Sequence, residues 1–464
     1  MTVPDPVRHH AASRPDALAV VSDLGTWSWA DLDARVGAAA RALERLPTGD
    51  GLPLVAVQAA TSPDLVVLVL AALRSRRVLA LLSTRWTSAT TRAALQNLLL
   101  DRVVVDESSD LEVETVALED VVSGREGGEA PPLALEDACT VVHTSGSTGT
   151  PKAILHSVGN HVWSARGVID ALEVGVDSRW LLDLPLYHVG GLGIVMRCVV
   201  AGATMAIPSG SVAVRERIEQ FRPTHASFVS TQLRRLLEAG ADLSGLEAVL
   251  MGGSAMPSDL IHQARSRRVP IVVSYGLTEM TSTVTATSTL PSRSDLETSG
   301  QPLSYRNVRI SGGEIEVGGR TRFVGTVVGG QVVPATEWHA TGDLGALDGL
   351  GRLVVTGRAD LQFVSGGENV NPEAIEAALL DLEGVLEAVV VPVSDTEFGH
   401  RPAAFIRAER DLGALEGALR ETLPGFMVPV AFYKWDGASG MKPDRPALTQ
   451  QAERRAAESS RRRG

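Results

Sequence analysis

Lysine is almost missing from this chain. Of 43 basic residues only Lys152, Lys434 and Lys442 are lysine, and the rest are arginine. Arginine therefore serves wherever a generic surface cation is needed, and a position that keeps Lys has a use for a compact, flexible ammonium. Cysteine is just as scarce. Cys139 and Cys198 sit among apolar neighbours, the pattern of buried free thiols in a reducing compartment and not of a disulfide framework. Long apolar runs are absent: the most apolar stretch, Leu65 to Leu73, ends at Arg74, Arg76 and Arg77. It is far shorter than the roughly 20 residues of a membrane span, so it reads as a core helix. The N-terminal MTVPDPVRHH lacks the charged-then-apolar build of a signal peptide, and a cytoplasmic location is expected. Excess positive charge is missing too. The net charge of −12 argues against non-specific nucleic-acid binding but leaves room for a local basic site for a phosphorylated ligand.

What is present is ample. With 464 residues, 44% hydrophobic and 21% charged, the chain has material for two or more globular domains. Apolar runs alternate with amphipathic helical patterns over the first 125 residues: a helical stripe at Ala30 to Leu46, short strands at Leu54 to Val57 and Arg102 to Val105. This alternation predicts an α/β fold, a large layered domain of sheets and helices with a largely parallel sheet. Strands are expected at 138–143, 180–184, 248–251, 271–274 and 308–317, with helices at 214–221 and 232–239 between some of them. The seven glycines from Gly312 to Gly330 suit small hairpins. A zone of small α+β domain size begins near Arg358, with a Pro-initiated helix at Pro372 to Leu380 and a strand at Ala388 to Val393. The Arg-rich tail from Gln450 to Gly464 is expected to fray.

Four segments carry candidate chemistry. Thr144-Ser145-Gly146-Ser147-Thr148-Gly149-Thr150-Pro151-Lys152 combines glycines that admit a phosphate, four early hydroxyls, backbone donors for an anion nest, and one of the three lysines. Its spacing is not that of a Walker A loop. Ser274-Tyr275-Gly276-Leu277-Thr278-Glu279 offers an aromatic for adenine, a hydroxyl for a phosphate and a carboxylate for Mg²⁺. Asp343 and Arg358 lie in polar turns beside strands, and Asp343 has the oxygens to accept two ribose hydroxyls. Each feature alone is weak, because Asp in a turn is usually only a turn residue.

Together and in this order these segments closely resemble the adenylate-forming superfamily of acyl-CoA synthetases, adenylation domains and luciferases. The matching motifs are TSGSTGTPK, YGLTE, TGD, GRAD…SGGEN and GMKPDR, and the resemblance runs from about residue 15 to 448. It implies ATP and CoA as substrates, Mg²⁺, and two domains: 1–358 for ATP and acid, and 359–464, a smaller α+β domain that rotates about a hinge near Asp360. Residues 144–152 would bind the β and γ phosphates. Gly252, Gly253, Ser254, Tyr275 and Gly276 would line the adenine and acyl pocket, Thr278 would contact the α-phosphate, and Asp343 and Arg358 would fix the ribose. Glu279 would hold Mg²⁺, Lys442 would reach the attacking carboxylate, and Gly366 and Gly367 would guide the CoA thiol. Two positions depart from the family pattern: Ala153 replaces a glycine, and Met441 separates Gly440 from Lys442, with Lys434 the alternative lysine.

Segments 159–165, 184–197, 224–233 and 275–286 most resemble the o-succinylbenzoate–CoA ligases of menaquinone biosynthesis. In that branch His188 would gate or orient the acyl site, with Gly191 lining it. Arg197 interrupts an apolar run from Val189 to Ala203, where an unpaired cation is costly. It is either a structural Arg, ion-paired or snorkelling to the surface, or the partner of a second substrate carboxylate, with Ser227 adding a hydrogen bond. An aromatic dicarboxylic acid is the expected substrate. Alternatives are another aromatic or medium-chain acid, an adenylation partner for a carrier protein, or a non-catalytic nucleotide sensor. His9, His10, His262 and His400 show no metal-ligand spacing. Oligomeric state stays open between monomer and homodimer.

Overall fold

The computed structural model describes all of the chain except residues 49–50, 107–110, 112, 125–127, 129, 145–150, 211, 254–255, 438–442 and 462–464. The side chains of 258 and 457–461 are also left out. Candidate residues Ser145, Gly146, Ser147, Thr148, Gly149, Ser254 and Lys442 thus lie outside the described residues.

Two compact units are present. The first comprises Met1–Ser254, Ala264–Val308 and Val317–His339; the second comprises Ala255–Gln263, Arg309–Glu316 and Ala340–Gly464. The layered α/β architecture expected from the alternation is there in the first unit, as an eight-stranded and a nine-stranded sheet with helices packed on them. In the first sheet Val78–Leu81 pairs in parallel with both Leu54–Gln58 and Ala138–Thr144. The second sheet has a parallel centre, in which Arg179–Leu181, His225–Phe228, Ala248–Met251 and Ile271–Leu277 are successive neighbours. These strands are largely buried because both faces of the sheet are covered, His225 and Ser227 included.

The helix Pro63–Arg74 is the core helix foreseen from its composition. Ser62 caps it, Pro63 starts it, and Leu65 to Leu73 are all buried. Each buried Leu or Val there contributes about 1.5–3 kcal/mol. Its last residue, Arg74, is buried too, and pairs at 2.8 Å with Asp5 and with Asp33. Asp5 in turn caps the helix Pro6–Ser13. Both cysteines are buried and free, and burial pushes their thiols up.

In the second unit the sheet runs Glu368–Val370, Phe363–Ser365, Gly399–Ala408, Val385–Asp395, with Ala431–Lys434 also paired to Gly399–Ala408. The helix Pro372–Leu380 packs on it. Two expectations need correction. The 308–317 run is two strands, Arg306–Ser311 and Glu314–Gly319, because Gly312 and Gly313 turn the chain with φ of 60° and 86°. The tail does not simply fray: Arg445–Arg461 is a helix. Leu448 and Ala452, four apart, share one face and are buried with Val389, Val391 and Phe405, while Arg445 binds Glu376 through both guanidinium nitrogens. One apolar pair per turn was too thin a stripe to stand out in a polar segment.

Candidate active site

The ends of the Ser/Thr/Gly-rich loop are held by a hairpin. Strands Ala138–Thr144 and Lys152–Ser157 pair antiparallel, with Thr144 opposite Lys152. Lys152 is exposed. Beyond the second strand, Ser157 and Asn160 form a capping box that starts helix Val158–Leu172. The Asn160 amide also donates to the carbonyls of Arg320 and Arg322, at 2.9 and 2.8 Å.

The second cluster gathers at the carboxyl ends of the central parallel strands, the usual place for ligands in such sheets. Ser227 is the last residue but one of its strand, Gly252 and Gly253 follow the next, and Tyr275 and Gly276 lie just before the end of the third. Gly253 has φ 88°. The strand Ile271–Leu277 then folds back on Ser282–Ala286, placing Gly276 opposite Thr283 and Leu277 opposite Ser282. A Cβ on Gly276 would lie 2.2 Å from the Ser282 carbonyl, so only glycine fits. Between these strands Thr278–Met280 is a single tight turn. Glu279 is half-buried there and its backbone carbonyl accepts from Phe323 at 2.8 Å.

Arg197 lies inside helix Val189–Ala201, with His188 at the N-cap position just before it. It is 1% exposed, without a carboxylate partner among the described residues. Its guanidinium stands 5.0 Å over the Trp180 ring, and donates only long hydrogen bonds, to Ser282 Oγ at 3.4 Å and Thr283 Oγ1 at 3.3 Å. Its Nε has no hydrogen-bond partner among the described residues. Burial pushes its pKa down to about 10, so it stays cationic near neutrality. Trp180 Nε1 donates to Ser227 Oγ at 3.2 Å, so the indole whose face carries Arg197 holds Ser227 at its edge. One helical turn before Arg197, a Cβ on Gly193 would lie 3.1 Å from Nη2. A Cβ on Gly191 would meet the Pro185 carbonyl at 2.4 Å. The snorkelling and ion-pair readings of Arg197 thus fail; it is a buried, underused cation beside the Tyr275–Glu279 segment.

In the second unit Asp343 and Arg358 face each other across two antiparallel strands and pair at 3.0 Å. Arg358 also grips both oxygens of Asp360, at 2.8 and 3.0 Å. These bonds raise the Arg358 pKa and hold the Asp360 carboxyl below its usual range. Thr341 Oγ1 accepts from the Asp343 amide at 3.0 Å. Gly366 and Gly367 form an exposed two-residue turn with φ of 59° and 87°, the mirror-image geometry that favours glycine.

A profile described as AMP-binding enzyme matches residues 7–321, and one described as AMP-binding enzyme C-terminal domain matches residues 374–437. The chain belongs to the AMP-binding enzyme family. Within it, this chain is similar to the 2-succinylbenzoate–CoA ligase of Escherichia coli K12, 34% identical over 433 residues, 92% of each chain. It is similar also to that of Bacillus pumilus, 30% identical over 474 residues, 94% of this chain and 93% of the relative. Among solved structures, o-succinylbenzoate CoA synthetase from Bacillus subtilis with the acyl-adenylate OSB-AMP superposes with a TM-score of 0.85, at 26% identity, covering 97% of this chain and 98% of that one. Its complex with ATP and magnesium gives 0.85 at 26%, covering 97% and 100%. The large and small domains of those structures match the α/β fold described above.

The structure brings Arg197, Ser227, Gly191, Gly253, Tyr275, Gly276, Thr278 and Glu279 onto one sheet and the helix beside it, and sets Asp343, Arg358 and Asp360 in a second cluster. Sequence reasoning missed Trp180, Gly193, Ser282 and Thr283. Gly193 was within reach, four residues before Arg197 and so on the same helical face. Ser282 and Thr283 depend on strand register, which no local pattern fixes. Among the described residues no three His, Cys, Asp or Glu form a metal cluster, and no helix is long and apolar enough to cross a membrane. Glu279 suits Mg²⁺ as a lone carboxylate, since this ion keeps several waters and binds through one or two carboxylates plus phosphates.

Proposed function

We propose that the chain joins 2-succinylbenzoate to CoA in menaquinone biosynthesis, using ATP and releasing AMP and pyrophosphate by way of an acyl-adenylate. In the first half-reaction the succinyl carboxylate oxygen attacks the α-phosphorus and pyrophosphate leaves. In the second, CoA sulfur attacks the acyl carbon, the thiol proton is lost, and AMP leaves. The observation that carries the choice of acid is Arg197: a buried cation without a carboxylate partner among the described residues has a use for an acid with a second carboxylate and none for a plain fatty acid.

The roles follow. The segment from Thr144 to Lys152 holds the outer phosphates, and Gly253, Ser254, Tyr275 and Gly276 line the adenine and acyl pocket. Thr278 contacts the α-phosphate. Glu279 would hold Mg²⁺, which supplies charge for departing pyrophosphate. Asp343 and Arg358 fix the ribose. Lys442 sits at the reacting oxygens, where a cation stabilises the joining of two anions chiefly in the transition state. The domain carrying it turns about Asp360, so that Gly366 and Gly367 guide the thiol through a different entrance. His188 orients the acyl group; Arg197, Ser227 and Gly191 take the benzoate end. Location in the cytoplasm belongs to this reading too.

The test is pyrophosphate release across a panel of acids, with and without CoA. Release with 2-succinylbenzoate and CoA-dependent thioester formation is expected. A preference for a fatty or amino acid overturns the choice of substrate, and no release with any acid points to a nucleotide sensor.

A further inference from the structure

Arg197 has a companion. Arg306 is 5% exposed and also has no carboxylate partner among the described residues. The two guanidinium groups share one residue: Arg197 donates to Thr283 Oγ1 at 3.3 Å, and Arg306 Nε donates to the Thr283 carbonyl at 2.8 Å. Arg306 further donates to the carbonyls of Ser304 at 2.8 Å and Ser164 at 2.9 Å, so it is firmly held where Arg197 is loosely held. Burial and the charge of Arg197 push the Arg306 pKa down to about 9.

Both cations are seated by a glycine inside a helix. A Cβ at Gly167, in helix Val158–Leu172, would lie 2.1 Å from Arg306 Nη1; a Cβ at Gly193 would lie 3.1 Å from Arg197 Nη2. Helix-interior glycine costs stability, and so does a pair of buried like charges without a counter-ion. Thr283 faces Gly276 on the neighbouring strand. Hydrogen bonds to carbonyls alone need donors but not a second positive charge so close to the first.

We infer that Arg306 is a positioning residue for acid selection: it fixes Thr283, and through it the Arg197 guanidinium, and adds the second positive charge that favours acids carrying a second carboxylate. This rests on the reading of Arg197 given above. An acid with one carboxylate leaves the pair uncompensated; a diacid brings the missing anion.

The experiment measures kcat and KM for 2-succinylbenzoate and for 4-oxo-4-phenylbutanoate, which lacks the ring carboxylate, by pyrophosphate release with saturating ATP and CoA. Wild type, R306K and G167A are compared, each with a thermal melt. G167A keeps the cation but displaces it; its Cβ would also stand 2.8 Å from the Ser304 carbonyl, so the melt decides whether it is compared, and R306K carries the test if G167A is unfolded. Expected is a roughly tenfold rise in KM for the diacid in both variants, with kcat and the KM for the mono-acid little moved, so that selectivity falls about tenfold. Folded variants with the wild-type selectivity ratio, whatever their melting temperatures, overturn the inference and leave Arg306 as a structural hub. Wild type that ignores 2-succinylbenzoate defeats the reading of the reaction instead, a separate outcome.

Discussion

His156 donates its Nε2–H to the carbonyl of Thr278 at 2.8 Å. The bond ties the strand that leaves the phosphate-loop hairpin at Lys152 to the turn that bears Thr278 and Glu279. Behind it, Thr140 Oγ1 lies 2.8 Å from His161 Nε2 and 3.5 Å from His156 Nδ1. Two segments that sequence shows only as separate motifs are thus joined through a buried, neutral network.

That neutrality makes stability depend on acid. Burial pushes His156 from the usual 6.5 to about 4, and burial with the help of His156 pushes His161 well below the usual value. Above about pH 6.5 neither folded nor unfolded chain protonates the ring, and the network is at full strength. Between 6.5 and 4 only the unfolded chain takes up the proton, so stability falls by on the order of 3 kcal/mol for His156, and levels off below. Denaturant titrations at pH 7, 5.5 and 4 should show this slope, and H156Q, which keeps a donor but cannot titrate, should make it shallower by the His156 share, leaving that of the buried His161 and His143. An equal slope in H156Q would detach the effect from this residue.

Arg197 sets function against stability. R197M should melt at the wild-type temperature or above, because it removes a buried cation with only long hydrogen bonds. It should also lose about 10²-fold in kcat/KM for 2-succinylbenzoate. A lower melting temperature with unchanged kinetics would make Arg197 structural.

The family's motifs were legible because phosphate chemistry writes itself locally, in glycines and hydroxyls close along the chain. Helix Trp29–Arg45 was legible by its apolar periodicity and Pro63–Arg74 by its apolar composition. The surroundings of Arg197 were not. Trp180, Ser282 and Thr283 reach it from a strand and a hairpin far along the sequence, and Arg306 joins Thr283 from further still. Pairings of that kind depend on register, and a single chain carries no mark of them. The terminal helix was hidden for the opposite reason, since only Leu448 and Ala452 mark its apolar side.

Arg358 holds Asp343 on one side and Asp360 on the other. R358Q keeps hydrogen-bonding capacity but drops the charge that draws both carboxylates in. The KM for ATP should rise about tenfold while the KM for the acid stays put. A change confined to the acid would move these residues out of the ribose site.

Removing the ammonium of Lys442 should separate the half-reactions. K442A is expected to lose adenylation by about 10²–10³-fold or more, while thioester formation from preformed acyl-adenylate survives. Equal loss of both steps, with a broadened melt, would indicate misfolding instead.

Gly193 offers the sharpest contrast. Its absent side chain leaves the space in which the Arg197 guanidinium lies, 3.1 Å from where a Cβ would stand. G193A adds a good helix former to the interior of Val189–Ala201, a gain of about 1 kcal/mol in helix propensity. It also pushes the guanidinium by a few tenths of an ångström. Arg197 already holds Ser282 and Thr283 only at 3.4 and 3.3 Å, so a small shift breaks those bonds. The variant should therefore be as stable as wild type or more so, yet bind 2-succinylbenzoate about tenfold more weakly, with ATP unaffected. Thermal melts beside acid-dependent pyrophosphate release decide it: a protein both stabilised and unaltered in KM would show that Arg197 needs no room, and that its placement does not choose the acid.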